Sequence, residues 1–565
     1  MQDRPNLPIL KNPFRYNPQI PPNQTGFVSR SRFSGLRLLR ETLPVDFPHR
    51  PCCFVNLSRL GKEDWGVIVR YDLIVVGGGP AGQKAAIAAA KLQKRVALVT
   101  RHTSHRGGVG RQTATPSRTL KAAIEQLTGS RVRDGYGARA SQKRPIAMSD
   151  LRRTLDLVAM AEVDIWRQSV ASHQIDLHAG EARFLDPHTM SVCREGKSVR
   201  LEGERLLLAV GTKPARPPHI PFDGKVILDS QELLGLEQLP PSLIVVGGGV
   251  IGMEYAVLLA TLGTEVTVVD GQRCLLDFCD REIMERLQSY ARELGIGFRL
   301  GEDVVAISHV NPVKAAVELE SGKRLTADSV LFTVGRIGDT ASLNLAAAGL
   351  EVDERGRLWC DENFRTWVPH IYGVGDVIGF PDLANTSMEQ GRRAAHAAFG
   401  QVQSGTTLLP YELFTIPEIS MIGKNEKQLT AEKIPYEVGT CEFRELPPDR
   451  IGGDDRGLLK LLFHRESHQI LGIHVIGETA TEMIDLGQAV MVHRRTIEYF
   501  RDTVFHHPAR AKAYKLAALN GLSKLAVKAQ QGRMPGPLEE QILTDVHDLQ
   551  TLCATSSREL VLTGE

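Results

Sequence analysis

The sequence predicts an α/β chain in which two similar parallel-sheet units precede an α+β domain. Three observations carry this expectation. An apolar strand at Tyr71 runs into a glycine cluster and an alanine-rich helix; the same grammar returns near Leu243; and beyond Gln401 the texture changes to mixed strands and helices.

The first unit opens with YDLIVV, whose unbroken apolar run suits a strand buried on both faces of a parallel sheet. GGGPAG and QKAAIAAAKL follow, so Gly77, Gly79 and Gly82 sit between a strand and a helix. That context raises GxGxxG above a bare pattern. The first glycine permits the tight turn, the second lets backbone approach a pyrophosphate, and the third lets helix pack on strand. The next strand, VALVT, ends in Thr100, where a ribose-binding acid is expected. A hydroxyl in that place gives up a charged hydrogen bond of about 1.5 to 3 kcal/mol. Thr100 and the following Arg101 are expected at the adenosine end of the first dinucleotide.

The second unit repeats the design with LIVVGGG before VIGMEYAVLLATLG, placing Gly247, Gly249 and Gly252 in the same roles. Its strand EVTVVD ends in Asp270, which suits a ribose with free hydroxyls. A 2′-phosphate about 4 Å from that carboxylate would be repelled by roughly 1 to 4 kcal/mol, so NAD(H) should bind more easily than NADP(H). Arg273, three residues on, either offsets this or is a solvated loop charge. The stretches LLLAVGTKP (206–214, with Gly211) and VLFTVGRIG (330–338, with Gly335) are expected to close the two units. After Gln401, strands such as LLKLLFH and ILGIHVIG and helices containing MIDLGQAVMV and ARAKAYKLAALNGLSKLA form the α+β domain. The expected domains are an extension at 1–70, a first unit at 71–225 rejoined by 362–400, a second at 226–361, the α+β domain at 401–526, and a tail at 527–565.

Composition narrows the class of function. Apolar residues make 42% and charged residues 24% of 565, with a net charge of +2. These are ordinary globular values without the basic stripe that nucleic acid or an anionic membrane requires. The apolar run 243–263 holds Glu254 and five glycines, which argues against a membrane span. Eight sparse cysteines suit a reducing cytoplasm, and no metal site is expected. The proline- and arginine-rich start lacks a secretory apolar segment. It reads either as a transit peptide or, favoured for want of an amphipathic period, as a disordered bacterial extension.

The two units in this order, GVGDV at 373–377 and the C-terminal α+β domain together resemble the pyridine nucleotide disulfide oxidoreductase family, which includes lipoamide dehydrogenase and glutathione reductase. Within it the likeness is closest to the soluble, Si-specific pyridine nucleotide transhydrogenases. It spans 71–526 and is most specific in HIYGVGDVIGFPDLA, YELFTIPEIS, KIPYEVGTCEF, LLFHRESHQILGIHVIGE, RRTIEYF and AYKLAALNGL. The resemblance implies FAD in the first unit, NAD(H) or NADP(H) in the second, and a homodimer through the last domain. It also implies that Gly375 and Asp376 meet the ribityl chain and that a helix from Ala384 points at the flavin pyrimidine.

The family's disulfide reductases carry a segment like GGTCxxxGCIPSK; here it reads RGGVGRQTATPSR. Gly107 and Gly108 remain, but Val109 and Ala114 stand at the cysteine positions, so no dithiol can form there. Val109 departs even from the soluble transhydrogenases, which keep the first cysteine. Arg118 replaces the lysine beside flavin N5, and Glu254 corresponds to its glutamate partner. The two are expected to act at the flavin, or to form only a structural ion pair. His507 precedes Pro508, but the carboxylate that orients it in the family is replaced by Lys512, so His507 is read as lining an interface or pocket rather than as a base. Cys274 and Cys279 have CxxxxC spacing but lie beyond the second unit's strand, away from the expected flavin. The reaction so implied is hydride transfer between NADPH and NAD⁺ through FAD without a redox-active disulfide. The alternatives are an NADH-specific diaphorase or quinone reductase, and a degenerate homologue serving as a binding dimer.

Overall fold

A computed structural model describes residues 68–101, 116–128, 147–379, 381–403, 405, 408–447 and 456–530. Gly107, Gly108, Val109, Ala114, most of the extension and the tail beyond Gln530 lie outside them.

The first sheet holds β1 (Ile68–Val76), β2 (Val96–Thr100), β3 (Asp176–Ala179), β4 (Glu181–Phe184), β5 (Thr189–Arg194) and β6 (Lys197–Leu208), in the order β3-β2-β1-β6-β5-β4. A late strand, β17 (Ile371–Gly373), runs parallel to β6. β1 lies parallel to both neighbours, with Leu73 opposite Val96 and Ile74 opposite Leu206. Alternation along β1 sends its side chains to two different cores. Leu73 and Val75 pack with Ala85 and Ala89 of α1 (Pro80–Lys91), Val163 and Trp166 of a long helix at Met148–Ser172, and Ala394 and Ala395. Ile74 and Val76 face Phe184, Leu201, Leu343, Leu350 and Leu358.

The second sheet is fully parallel, in the order β11 (Gly297–Leu300), β10 (Glu265–Asp270), β9 (Ser242–Val246), β15 (Ser329–Phe332) and β8 (Ile227–Asp229). Leu243 and Val245 pack beneath helices Val250–Thr261 and Arg281–Glu293. Ile244 and Val246 meet an antiparallel sheet of β12 (Val304–Asn311), β13 (Lys314–Leu319) and β14 (Arg324–Ala327). The chain crosses between units through β7 (Thr212–Pro214) and β16 (Arg336–Gly338), which pair antiparallel.

The last domain is an antiparallel sheet ordered β18 (Tyr411–Leu413), β19 (Ile419–Gly423), β22 (Ile470–Ile476), β21 (Leu458–His464) and β20 (Tyr436–Glu442). In chain order the remaining helices are α2 (Pro116–Thr128), α3 (Met148–Ser172), α4 (Val250–Thr261), α5 (Arg281–Glu293), α6 (Ala384–Ala398), α7 (Glu426–Ala431), α8 (Ala480–Val492), α9 (Glu498–Asp502) and α10 (Ala513–Gln530). α10 lies so close to β20 that a Cβ on Gly439 would stand 2.1 Å from the Ala517 carbonyl oxygen.

The expected architecture holds, with local corrections. The stretch 206–214 is two strands, because the chain turns at Gly211, whose φ is +68°. The return to the first unit comes at β16 rather than after residue 361, since Leu343, Leu350 and Leu358 complete the core against Ile74. α2 and the start of α3 were expected in the first unit, yet Leu120, Ile124, Met148 and Leu151 pack with Leu243 and Val245 of the second. α10 continues past 526 to Gln530.

A buried charge cluster joins the second unit to the last domain. The Lys460 side chain is 2% exposed and meets Asp280 at 3.0 Å and Glu282 at 3.1 Å, with Glu426 as a third acid. Burial alone would lower its pKa, but Asp280 and Glu426 outweigh that and hold it above the usual lysine range.

Candidate functional site

Two similar cradles form where β1 meets α1 and where β9 meets α4. Gly77 has φ +117°, and a Cβ there would stand 2.1 Å from the Ala209 carbonyl oxygen. A Cβ on Gly82 would strike the Gly77 carbonyl oxygen at 1.9 Å, and one on Gly252 the Gly247 carbonyl oxygen at the same distance. Only glycine allows helix and turn to close this tightly. Gly79 and Gly249 are different, because a Cβ at either would meet nothing within 4 Å. Each is also the N-cap of its helix without a side-chain cap, whereas Asp280 caps α5 and Asn425 caps α7. Open space over uncapped helix N–H groups is what a pyrophosphate needs. The residues therefore fit two dinucleotides.

The strand ends around the cradles differ. Thr100 is buried, its hydroxyl so near Gly78 that a Cβ there would lie 2.9 Å from Oγ1. Arg101 is committed to Asp339 at 2.9 Å and donates to Ser342 Oγ at 3.4 Å. In the second cradle the Asp270 carboxylate accepts from Gly248 N at 2.5 Å and Gln272 N at 2.7 Å, fixing its orientation beside the glycines. Arg273 is exposed, and its chain runs beside Gly301.

A third element reaches the first cradle from the returning chain. Asp376 lies in a short 3₁₀ turn, accepting from Thr212 Oγ1 and Ser387 Oγ at 3.4 Å each. Gly375 N–H donates to Gln390 at 2.8 Å. α6 begins at Ala384 with no side-chain cap from Leu383, although the Asn385 side chain accepts from Thr386 N at 2.6 Å within its first turn. Arg336 binds Thr212 through Oγ1 at 2.7 Å and the carbonyl at 2.8 Å, tying Gly335 and Gly211 at the crossover to Asp376. Asp382 is exposed as a residue, yet its carboxyl is crowded by surrounding protein. That desolvation, then the Asp376 charge, push its pKa up to about 6 against the pull of Arg357 and Arg336.

The expected Arg118–Glu254 pair does not form. Arg118 is exposed, its guanidinium 5.5 Å from the centre of the Phe414 ring, where it offsets the charge of Glu412. Glu254 is buried and accepts a 2.8 Å bond from Phe414 N and another from the Ser117 hydroxyl. Burial is the main cause that pushes its pKa up to about 7, and Glu412 adds to the rise. A guanidinium is larger than the ammonium it replaces, and here it stacks outside instead of following the carboxylate inward. The buried cation of α2 is Lys121, one turn on, which binds Glu125 and Glu418 at 2.7 Å each.

His507 is exposed and makes no hydrogen bond to Arg118 or Glu254. Burial pushes the Cys279 thiol up to about 12 while Cys274 is exposed, a poor arrangement for a redox pair. Sequence reasoning missed Thr212, Arg336, Asp382 and Phe414. The signals were faint: Arg336 follows Gly335, and Phe414 lies inside YELFTIPEIS.

Two pyrophosphate cradles, one at each strand–glycine–helix turn, define a protein of the two-dinucleotide class. Residues 71–391 match the family described as pyridine nucleotide-disulphide oxidoreductase, and 409–518 match its dimerisation domain. The chain belongs to that family, whose cofactors are FAD and nicotinamide nucleotides. It is 47% identical to a soluble pyridine nucleotide transhydrogenase of Mycobacterium bovis, over 80% of this chain and 98% of that one. A protein of the same name from Chromohalobacter salexigens is 40% identical, over 80% of this chain and 99% of its own. Among solved structures, the HOCl-induced flavoprotein disulfide reductase RclA of Escherichia coli is similar, with TM-score 0.71 and 26% identity, over 79% of this chain and 99% of that one.

Proposed function

We propose that this protein transfers hydride between NADPH and NAD⁺ through FAD held in the first cradle, using no dithiol. The observation that carries the reading is the pair of open cradles at Gly79 and Gly249, supported by the 47% identity to a soluble transhydrogenase. Bound FAD supplies a centre that accepts and returns hydride. The α1 N-terminus and Gly79 hold its pyrophosphate, Asp376 its polyhydroxyl chain, and the α6 N-terminus favours negative charge at its pyrimidine. The α4 N-terminus, Gly249 and Asp270 hold one nicotinamide nucleotide at a time, so donor and acceptor take turns. No side-chain acid or base is required, and alignment is the protein's contribution.

The match of 409–518 to a dimerisation domain supports a homodimer. The sparse cysteines support a cytoplasmic setting, and among the described residues no helix is long and apolar enough to cross a membrane. Anaerobic titration of the purified protein tests the reading. NADPH should bleach the flavin absorbance near about 450 nm, and NAD⁺ should restore it. Colourless protein that does not take up FAD, or flavin that NADPH reduces and NAD⁺ leaves reduced, overturns it. The fixed Asp270 carboxylate favours a second reading, an NADH-specific diaphorase, which bleaching by NADH but not NADPH would establish instead.

A further inference from the structure

We propose that Arg336 is a positioning residue of the first cradle: through the Thr212 hydroxyl it fixes the Asp376 carboxylate in the attitude that receives the polyhydroxyl chain of the dinucleotide. The inference deepens the reading of that cradle as the FAD site and rests on it.

The crossover ribbon of β7 and β16 decides where the guanidinium can go. Arg336 stands opposite Pro214 and Gly338 opposite Thr212, so Arg336 and Thr212 are diagonal neighbours on one face of the ribbon. Asp339 N extends the ribbon by donating to the Gly211 carbonyl at 3.1 Å. Both side-chain hydrogen bonds that Arg336 makes among the described residues go to Thr212, from Nε to the hydroxyl at 2.7 Å and from Nη2 to the carbonyl at 2.8 Å. A planar fork that grips the hydroxyl and the carbonyl of one residue leaves that side chain a single rotamer.

A threonine hydroxyl has one proton to give. Because Arg336 occupies a lone pair of the Thr212 oxygen, that proton turns away from the guanidinium and toward Asp376 Oδ2, 3.4 Å away. The other carboxylate oxygen, Oδ1, accepts from Ser387 Oγ of α6, also at 3.4 Å. One donor on each oxygen sets the plane of the carboxylate and leaves its other lone pairs for ligand hydroxyls. At 3.4 Å an O–H···O bond is long, so a cation behind the donor matters: it polarises the hydroxyl and strengthens the bond that follows in the chain. None of these groups belongs to the glycine turn at Gly77. The glycines thus serve the pyrophosphate, while the ribbon serves the polyhydroxyl chain.

Two ligands test this on the full-length chain freed of flavin: FAD, and an FAD analogue in which a hydroxyl-free alkyl chain replaces the ribityl group, with binding read from flavin fluorescence. Thr212→Val and Arg336→Met should each weaken FAD binding by about 10-fold, the lower worth of a hydrogen bond to a charged group, and leave the affinity for the analogue unchanged. Adding Arg336→Met to Thr212→Val should cost nothing more, since the guanidinium acts through the hydroxyl. Arg336→Lys keeps a cationic donor for that hydroxyl and should hold FAD affinity within about threefold of the unmodified protein. A loss shared equally by FAD and the analogue would mean a merely structural role and overturns the inference. Unchanged FAD affinity in Thr212→Val, or additive losses in the double variant, overturn it as well. If Arg336→Met fails to fold, Thr212→Val and Arg336→Lys decide with the same two ligands. An unmodified chain that takes up no FAD overturns both this inference and the function it rests on, whereas normal FAD uptake with equal losses for both ligands overturns the inference alone.

Discussion

Gly79 and Gly82 lie three residues apart and should fail in opposite ways when given a methyl group. The Cβ of Gly79→Ala enters open space, so the chain should fold and lose FAD by obstructing the pyrophosphate. Gly82→Ala pushes a methyl to 1.9 Å from a backbone oxygen, so the first unit itself should be lost, with circular dichroism and flavin content separating the two outcomes. Asp270→Ser should weaken NADH binding by about 10- to 100-fold, the worth of a charged hydrogen bond, and strengthen NADPH binding. Unchanged NADH affinity would remove Asp270 from the ribose site. Glu254 carries a stability signature of its own. Its folded pKa, about 7, exceeds its ordinary value of 4.5, so the associated stability is complete below about pH 4.5 and is lost as pH rises to about 7. Glu254→Gln should thus match the unmodified protein at pH 4 and exceed it by up to about 3 kcal/mol at pH 8 in denaturant unfolding. The placement of the glycines and Asp270 at the strand ends was legible in the sequence because it follows from backbone geometry at fixed spacing. The fate of Arg118 was not, since whether a guanidinium follows a carboxylate inward depends on Phe414, nearly 300 residues away in the chain.

Among elements, strands β1 and β9 with helices α1 and α4 could be read directly, because a continuous apolar run, glycines and a helix make a local signal. The same cannot be said of the short ribbons. β7 and β16 are three residues each, pair across more than a hundred residues, and leave no periodic trace. α2 illustrates a different limit: its apolar face is visible in the sequence, but which unit it covers is decided by space beside α4. Element packing also holds a buried charge cluster, where β21, α5 and α7 meet around Lys460. Lys460→Met would leave Asp280, whose side chain is 1% exposed, without its counter-charge. The expected loss is about 3 to 5 kcal/mol, because the charge that remains keeps its desolvation cost while losing its partner. Denaturant unfolding measures this, and a loss under about 1 kcal/mol would show that water or rearrangement solvates Asp280.

At the scale of the whole molecule, each cradle is built from one chain, which determines what breaking an assembly should do. The first cradle draws on β1, α1, the Asp376 turn and α6, and the second on β9, α4 and Asp270. All of these groups lie on the same chain, so under the proposed reading a dissociated chain should still hold both pyrophosphates. The domain that matches a dimerisation domain nonetheless carries apolar side chains open to solvent. Val504 is 92% exposed and Tyr499 is 42% exposed, on the segment that leads to His507. A valine bared to that extent on an ordered segment next to α9 is what a self-complementary surface presents before it is covered. The protein should therefore sediment at twice the mass of one chain, and Val504→Asp should shift it toward the monomer by placing a charge where the partner packs. FAD content should survive the change, because no residue of the first cradle lies near position 504 in the chain. A monomeric unmodified protein would refute the assembly, and a dimeric Val504→Asp variant would move the interface elsewhere on the domain. Loss of FAD together with dissociation would mean that a second copy contributes to the flavin site.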